Sequence, residues 1–437
     1  MPTLMLARLL AVLCAFATTA SAAIGTPAWH GHWSGTVTFR GDTWPIRLAL
    51  PPALEDAALD LPALWMAWEP VPAAVSGDGV AVTLPFGLGE VTLATCDGGL
   101  CGARAIGEDT LAVTLQRAAP LAATRRPVTL HSGVATLQGE FWTPPGDDLP
   151  AVVLVHGSAN DIRDDWNYRS AADFWLRRGH AVLLYDKRGS GESDGDWMTT
   201  SFPDLADLGA DLRVALDWVA RQPGVDATRV GVHGGSQALW TVAIASELGD
   251  PPGFAVLSGA PATTPLVQER NSVLRRLEAA GLEPAALAAA RRHVATYFDA
   301  AADPARSAAA IASSVEADGQ PWGEFVPTAA TDDDFFWWRR NHAYDPAPAL
   351  RAWAMPVLLL YGEADTVVAP ALHLPRMRAQ LDRACLSVAT FPGAAHNLEL
   401  PGGRDRDGQW RFPRRDPGVA TAIEAMLAAP DAMHCPR

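Results

Sequence analysis

The residues whose types and spacing best suit chemistry are Ser236, Asp365 and His396. Ser236 lies in Arg229-Val-Gly-Val-His-Gly-Gly-Ser-Gln-Ala238, a strand-like run that enters a glycine-rich turn and leaves into helix-forming Leu239 to Ser246. A turn of this kind lifts a serine hydroxyl clear of the backbone, and small flanking residues prevent clashes. The hydroxyl attacks only when a base takes its proton, and a histidine oriented by a carboxylate is such a base. In this context the chain order should be serine, acid, histidine. Asp365 follows the apolar run Pro356 to Tyr361, in Gly362-Glu-Ala-Asp-Thr366, and His396 comes 31 residues later in Phe391-Pro-Gly-Ala-Ala-His-Asn397. Glu363, on the same turn, competes as the acid; His373, inside a helical stretch, competes as the base. The chemistry is acyl transfer, and its developing oxyanion needs donors. The backbone N–H groups of Ser158, in His156-Gly157-Ser158-Ala159, and of Gln237 are placed to serve. His156 reads as a buttress of that loop, and Asp186 to Ser193, glycine-rich but without phosphate-loop spacing, reads as a structural turn. No metal or organic cofactor is required, and a serine at the elbow, where dehalogenation needs a carboxylate, argues against that reaction.

Elements must hold these residues. Around them, strand-length apolar runs alternate with helical patterns: Ala151 to Val155, His180 to Tyr185, Arg229 to Val232, Phe254 to Leu257 and Pro356 to Tyr361. Strands apolar on both faces belong to a parallel sheet covered by crossover helices. Leu205, Leu208, Leu212, Leu216 and Val219 recur at the spacing of one such helix. Some ninety residues, about 263–352, interrupt the alternation with helical, aromatic-rich sequence, including Trp322, Phe335, Phe336, Trp337, Trp338 and Trp353. An insertion that long reads as a cap over the site; its aromatics either line the site or fasten the cap to the body. Residues 23–122 read differently, as short alternating runs broken by Gly and Pro, predicting a small all-β domain, either a sandwich or a barrel. Within it, Trp29-His-Gly-His-Trp33 reads as tryptophans packing the sheet with His30 and His32 on the wet side, in preference to a metal site. The hydrolytic part then occupies 123–437.

Composition bounds the partners. The chain has 34 basic and 49 acidic residues, net −15, and 49% apolar residues. All but one of the basic residues are arginines, scattered singly or in pairs, so no basic face exists for nucleic acid or an anionic membrane. Arg8, the apolar run Leu9 to Phe16 and Ala20-Ser-Ala22 have the layout of a signal peptide over 1–22, with the chain periplasmic or secreted; the run is too short to serve as a stable membrane anchor. Four cysteines remain after cleavage, and proximity favours Cys96–Cys101 and Cys385–Cys435 as disulfides. Oligomeric state is not written in the sequence.

Val155-His-Gly-Ser158, Asp161-Ile-Arg-Asp164, Tyr185-Asp-Lys-Arg-Gly-Ser-Gly-Glu-Ser193, Gly235-Ser-Gln237 and Gly362-Glu-Ala-Asp365 together resemble serine α/β-hydrolases. More narrowly, they look like bacterial carboxylesterases with an N-terminal β domain, over about residues 125–430. The resemblance implies an α/β-hydrolase fold with a mostly parallel sheet of about eight strands, a helical cap and activity on a small-molecule ester. Ala238 and Leu239, where such relatives usually have glycines, and Asn160, where Gly or Pro is common, depart from the pattern and bear on the acyl pocket. Two alternatives stay open: a serine peptidase of prolyl-oligopeptidase-like or iminopeptidase-like type, and a non-catalytic binding protein on the same scaffold.

Overall fold

The computed structural model describes residues 27–196, 203–382, 384–405 and 407–428. The expected signal peptide and Cys435 lie outside them. Nine strands come first: Gly31–Phe39, Asp42–Leu50, Ala58–Leu61, Met66–Pro70, Ala73–Ser76, Gly79–Leu84, Gly89–Cys96, Gly99–Ile106 and Asp109–Arg117 (β1–β9). They form one antiparallel sheet in the order β4-β3-β2-β1-β9-β8-β7-β6-β5. Because β1 pairs with β9, the meander returns to its start, and the sheet curls around a single core of Trp44, Ile46, Leu48, Val82, Val91 and Leu115. The result is a half-barrel left open between β4 and β5, not two stacked sheets. Cys96 and Cys101 are joined across the β7–β8 hairpin. Cys385 is likewise disulfide-bonded.

The second sheet has eight strands: Thr124–Ser132, Ala135–Thr143, Leu149–Val155, Ala181–Tyr185, Val225–Gly235, Ala255–Ser258, Val357–Gly362 and Leu386–Phe391 (β10–β17). Their order is β10-β11-β13-β12-β14-β15-β16-β17. Only β11 runs against its neighbours. Val152, Leu154, Val182 and Leu184 face the helix Trp166–Leu176 (α1), while Val153, Val155, Leu183 and Tyr185 face Leu205–Ala220 (α2) and Ala238–Glu247 (α3). This alternation places apolar side chains on both faces, as the strand sequences predict.

Between β15 and β16 lie the helices Pro265–Ala279, Pro284–Ala302, Ser307–Ala317, Phe336–Asn341 and Ala347–Ala352 (α4–α8). Prolines start α4 and α5 at their first helical positions, where the missing N–H costs nothing. The insertion has its own core of Val273, Leu277, Val294, Phe298, Trp322 and Phe335. It is tied to the body where Trp337 Nε1 donates to the Pro203 carbonyl at 3.1 Å and Asn341 Nδ2 to Asp204 at 2.8 Å. Two more helices, Pro370–Gln380 (α9) and Gly418–Ala428 (α10), flank β17. Among the described residues no helix is long and apolar enough to cross a membrane.

The half-barrel and the body interlock. Trp44 stacks on Phe412 with centroids 4.3 Å apart, and Asp42 accepts from the Phe412 N–H at 2.7 Å. In the other direction Trp65 leaves the half-barrel to stack on Phe174 of α1 at 4.6 Å.

Candidate active site

β14 ends at Gly235 and α3 begins at Ala238, so Ser236 occupies the turn between them, with φ +56°. A left-handed non-glycine residue is strained, and here the Ser236 N–H, donating to the Ser258 carbonyl at 2.8 Å, holds it. A methyl added at Gly234 would lie 2.6 Å from the Ala238 Cβ and 2.7 Å from the Val155 carbonyl oxygen. The elbow therefore has room for one methyl, and Ala238 takes it; the departure from a terminal glycine is absorbed at Gly234.

Asp365 lies past the end of β16, its side chain fully buried. Its Oδ1 accepts from the N–H groups of Val367 and Val368 at 2.7 and 2.8 Å, and its Oδ2 accepts from His396 Nδ1 at 2.7 Å. That fixes the proton on Nδ1 and leaves Nε2 as the basic nitrogen. His396 hangs from the loop after β17 and lines one cavity, of about 330 Å³, together with Ser236 and Ser158. No hydrogen bond joins Ser236 to His396 among the described residues; contacts of this kind commonly tighten only with substrate. Gly259, at φ +50°, completes the seat: a Cβ there would stand 2.7 Å from His396 Cε1. The sequence offered no sign of this glycine's role.

The competitors are placed elsewhere. Glu363 is exposed and accepts from Thr390 Oγ1 at 3.1 Å. His373 is completely buried in α9, its Nδ1 accepting from the Ala262 N–H at 2.9 Å, and burial pushes its pKa down to about 4. His156 Nε2 donates to the Tyr185 carbonyl at 2.7 Å, linking the ends of β12 and β13, and burial pushes its pKa down to about 3. Among the described residues neither the Ser158 nor the Gln237 N–H donates a hydrogen bond, so both donors are open to a ligand oxygen. Among the described residues no group of three or more His, Cys, Asp or Glu is arranged to hold a metal ion.

The loop after β13 does more than turn the chain. Asp186 accepts from Arg163 N at 2.8 Å and Glu192 N at 2.9 Å, which ties it to the segment following Ser158. Lys187 Nζ donates to the carbonyls of Gly157 at 2.7 Å and Ala159 at 3.2 Å, and to Gln237 Oε1 at 3.1 Å.

A second cavity, of about 490 Å³, opens from Ser236 under the cap. Trp240, Phe336, Trp337 and Val367 give it an apolar lining, and Glu269, Asp333 and Asp334 add carboxylates. Cap aromatics therefore divide: Trp322 and Phe335 pack the cap's own core, while Phe336 and Trp337 reach the cavity. On the far side of Ser236 the smaller cavity is walled in part by Trp65, so the half-barrel contributes to the site.

An eight-stranded, mostly parallel sheet with a serine elbow after its fifth strand, an acid after its seventh and a histidine after its eighth defines a serine hydrolase of the α/β-hydrolase fold. Residues 133–382, more than half of the chain, match the X-Pro dipeptidyl-peptidase (S15) family, and the chain belongs to that family. No curated protein matches it. Similar solved structures include DcsB in complex with its substrate analogue (16% identity, 70% of this chain and 97% of that one, TM-score 0.45). Est1E from Butyrivibrio proteoclasticus with bound ferulic acid is similar at 15% identity, over 69% of this chain and 98% of that one, with TM-score 0.44. The proline iminopeptidase of Mycobacterium smegmatis is similar at 19%, over 62% and 92%, with TM-score 0.41.

Proposed function

We propose that the protein is a periplasmic or secreted serine hydrolase that cleaves carboxylic esters through Ser236, His396 and Asp365. The observation carrying this reading is a strained, half-buried elbow serine on one cavity with an Asp-oriented histidine and two backbone donors without a partner among the described residues. His396 Nε2 removes the Ser236 proton as Oγ attacks the ester carbonyl. The Ser158 and Gln237 N–H groups hold the oxyanion, and Asp365 stabilises the imidazolium. The alcohol leaves with the proton from His396. Water then gives a proton to His396 as it attacks the acyl carbonyl, and His396 passes that proton to Ser236 Oγ as the acid leaves, which restores both residues.

A second reading, amide cleavage from a peptide amino terminus, is favoured by the family and by the carboxylates Glu269, Asp333 and Asp334, which suit a protonated amine beside the apolar cavity. Hydrolysis of p-nitrophenyl esters of graded chain length, beside aminoacyl p-nitroanilides, separates the two. Ester turnover by the wild type, lowered on the order of 10⁶-fold in Ser236→Ala, is the expected result. Turnover of anilides alone makes the protein a peptidase, and a Ser236→Ala variant that keeps its activity moves the nucleophile elsewhere. Failure of the wild type to react with a serine-directed phosphonate returns it to the binding-protein class. Export is checked by sequencing the amino terminus of the mature chain, expected to start at Ala23.

A further inference from the structure

In a chain whose other basic residues are all arginines, the one lysine is almost wholly buried, 1% exposed, beneath the candidate oxyanion donors. Three acceptors, the Gly157 and Ala159 carbonyls and Gln237 Oε1, converge on its single nitrogen. An ammonium offers three donors from one atom, whereas guanidinium spreads its donors over a planar fork. The Gly157 carbonyl belongs to the same peptide unit as the Ser158 N–H. In a planar trans peptide these two groups point in opposite directions, so anchoring the oxygen aims the N–H. Donation to that oxygen also polarises the amide and strengthens its donor. Gln237, 4% exposed, carries the other candidate donor and is anchored through its side chain by the same ammonium.

We propose that Lys187 is the positioning residue of the oxyanion hole, one ammonium setting both the Ser158 and the Gln237 N–H groups. This rests on the reading of Ser236 as an acylated nucleophile. Lys187 touches no substrate atom; it acts through the peptide planes it holds. Burial pushes its pKa down to about 7 against the pull of Asp161, so holding an ammonium at this position costs free energy.

The test compares wild type, Lys187→Met, Gln237→Leu, Gln237→Glu and Ser236→Ala on a p-nitrophenyl ester. It also measures the affinity of a trifluoromethyl ketone, whose serine adduct carries an oxyanion. Lys187→Met should lower kcat by roughly 10²- to 10³-fold with KM changed less than about threefold, the size of losing an oxyanion donor. Affinity for the ketone should fall by a similar factor, and Gln237→Glu, which keeps an acceptor for Lys187, should exceed Gln237→Leu about tenfold in kcat. A merely structural role lowers folded yield and leaves the ketone affinity of the folded fraction intact, which overturns the proposal. If Lys187→Met does not fold, the Gln237 pair decides, and equal kcat values overturn it. Loss of activity in Ser236→Ala alone, with the Lys187 and Gln237 variants fully active, removes this inference and spares the triad; activity retained in Ser236→Ala removes the triad reading itself.

Discussion

Asp365 and Glu363 are two residues apart on one turn, and burial separates them. The Asp365 carboxylate is saturated by two backbone donors and His396, while Glu363 meets solvent and Thr390. Asp365→Asn should therefore lower kcat about 10⁴-fold through the wrong histidine tautomer, with Glu363→Gln within about twofold of wild type. The larger loss falling on Glu363→Gln, measured as kcat on the same ester, would reverse the assignment. Gly259→Ala tests the other side of the imidazole. Its methyl would stand 2.7 Å from His396 Cε1 at a backbone angle that already excludes most side chains. Displacing the ring by about 1 Å should cost roughly 10²-fold in kcat with the fold retained. The triad types were legible in the sequence because their order and their places after strands are local properties. Gly259 and Lys187 were not, because each answers to residues that only the folded sheet brings near: His396 in one case, Gly157 and Gln237 in the other.

Among the elements, parallel strands and their helices follow from apolar runs and three- to four-residue spacings, as in α2, whose predicted leucine stripe is buried throughout. Closure of the β domain does not follow from such patterns. Period-two alternation says that each strand has one wet face, but whether nine strands stack as two sheets or curl as one depends on β1 meeting β9 across the domain. The return of the C-terminal segment was equally hidden, since Trp410 and Phe412 complete a core built some 370 residues earlier. Phe412 is 2% exposed and stacked on Trp44. Phe412→Ala should destabilise the half-barrel and its junction by about 3–5 kcal/mol, read as a lowered urea midpoint or early proteolysis between the two parts. Ester turnover at low temperature should survive, because Ser236, His396 and Asp365 belong to the other sheet; a variant with an unchanged urea midpoint would mean that the segment merely rests on the half-barrel.

At the scale of the whole molecule, four buried or half-buried histidines govern acid stability. Burial pushes His156 and His233 down to about 3, and His180 and His373 down to about 4, from an unfolded value near 6.5. Each is neutral in both states above that value and contributes no pH dependence there. As the pH falls below 6.5 the unfolded chain takes up protons that the folded chain refuses, so stability declines until the folded groups titrate near 3 to 4. The slope is up to about 1.4 kcal/mol per pH unit for each histidine. Asp60, Asp161 and Asp211 oppose this: desolvation raises their folded pKa values, so protonating them favours the folded state. Unfolding by urea at pH 5 should take up protons on balance, because four histidines oppose three aspartates, measured by calorimetry in buffers of different ionisation enthalpy. The midpoint should fall between pH 6.5 and 5 while the folded enzyme, assayed within its stable range, still binds substrate. Net proton release at pH 5 would show that the buried histidines do not govern the acid range, and acid loss of activity would then belong to the catalytic residues and not to the fold.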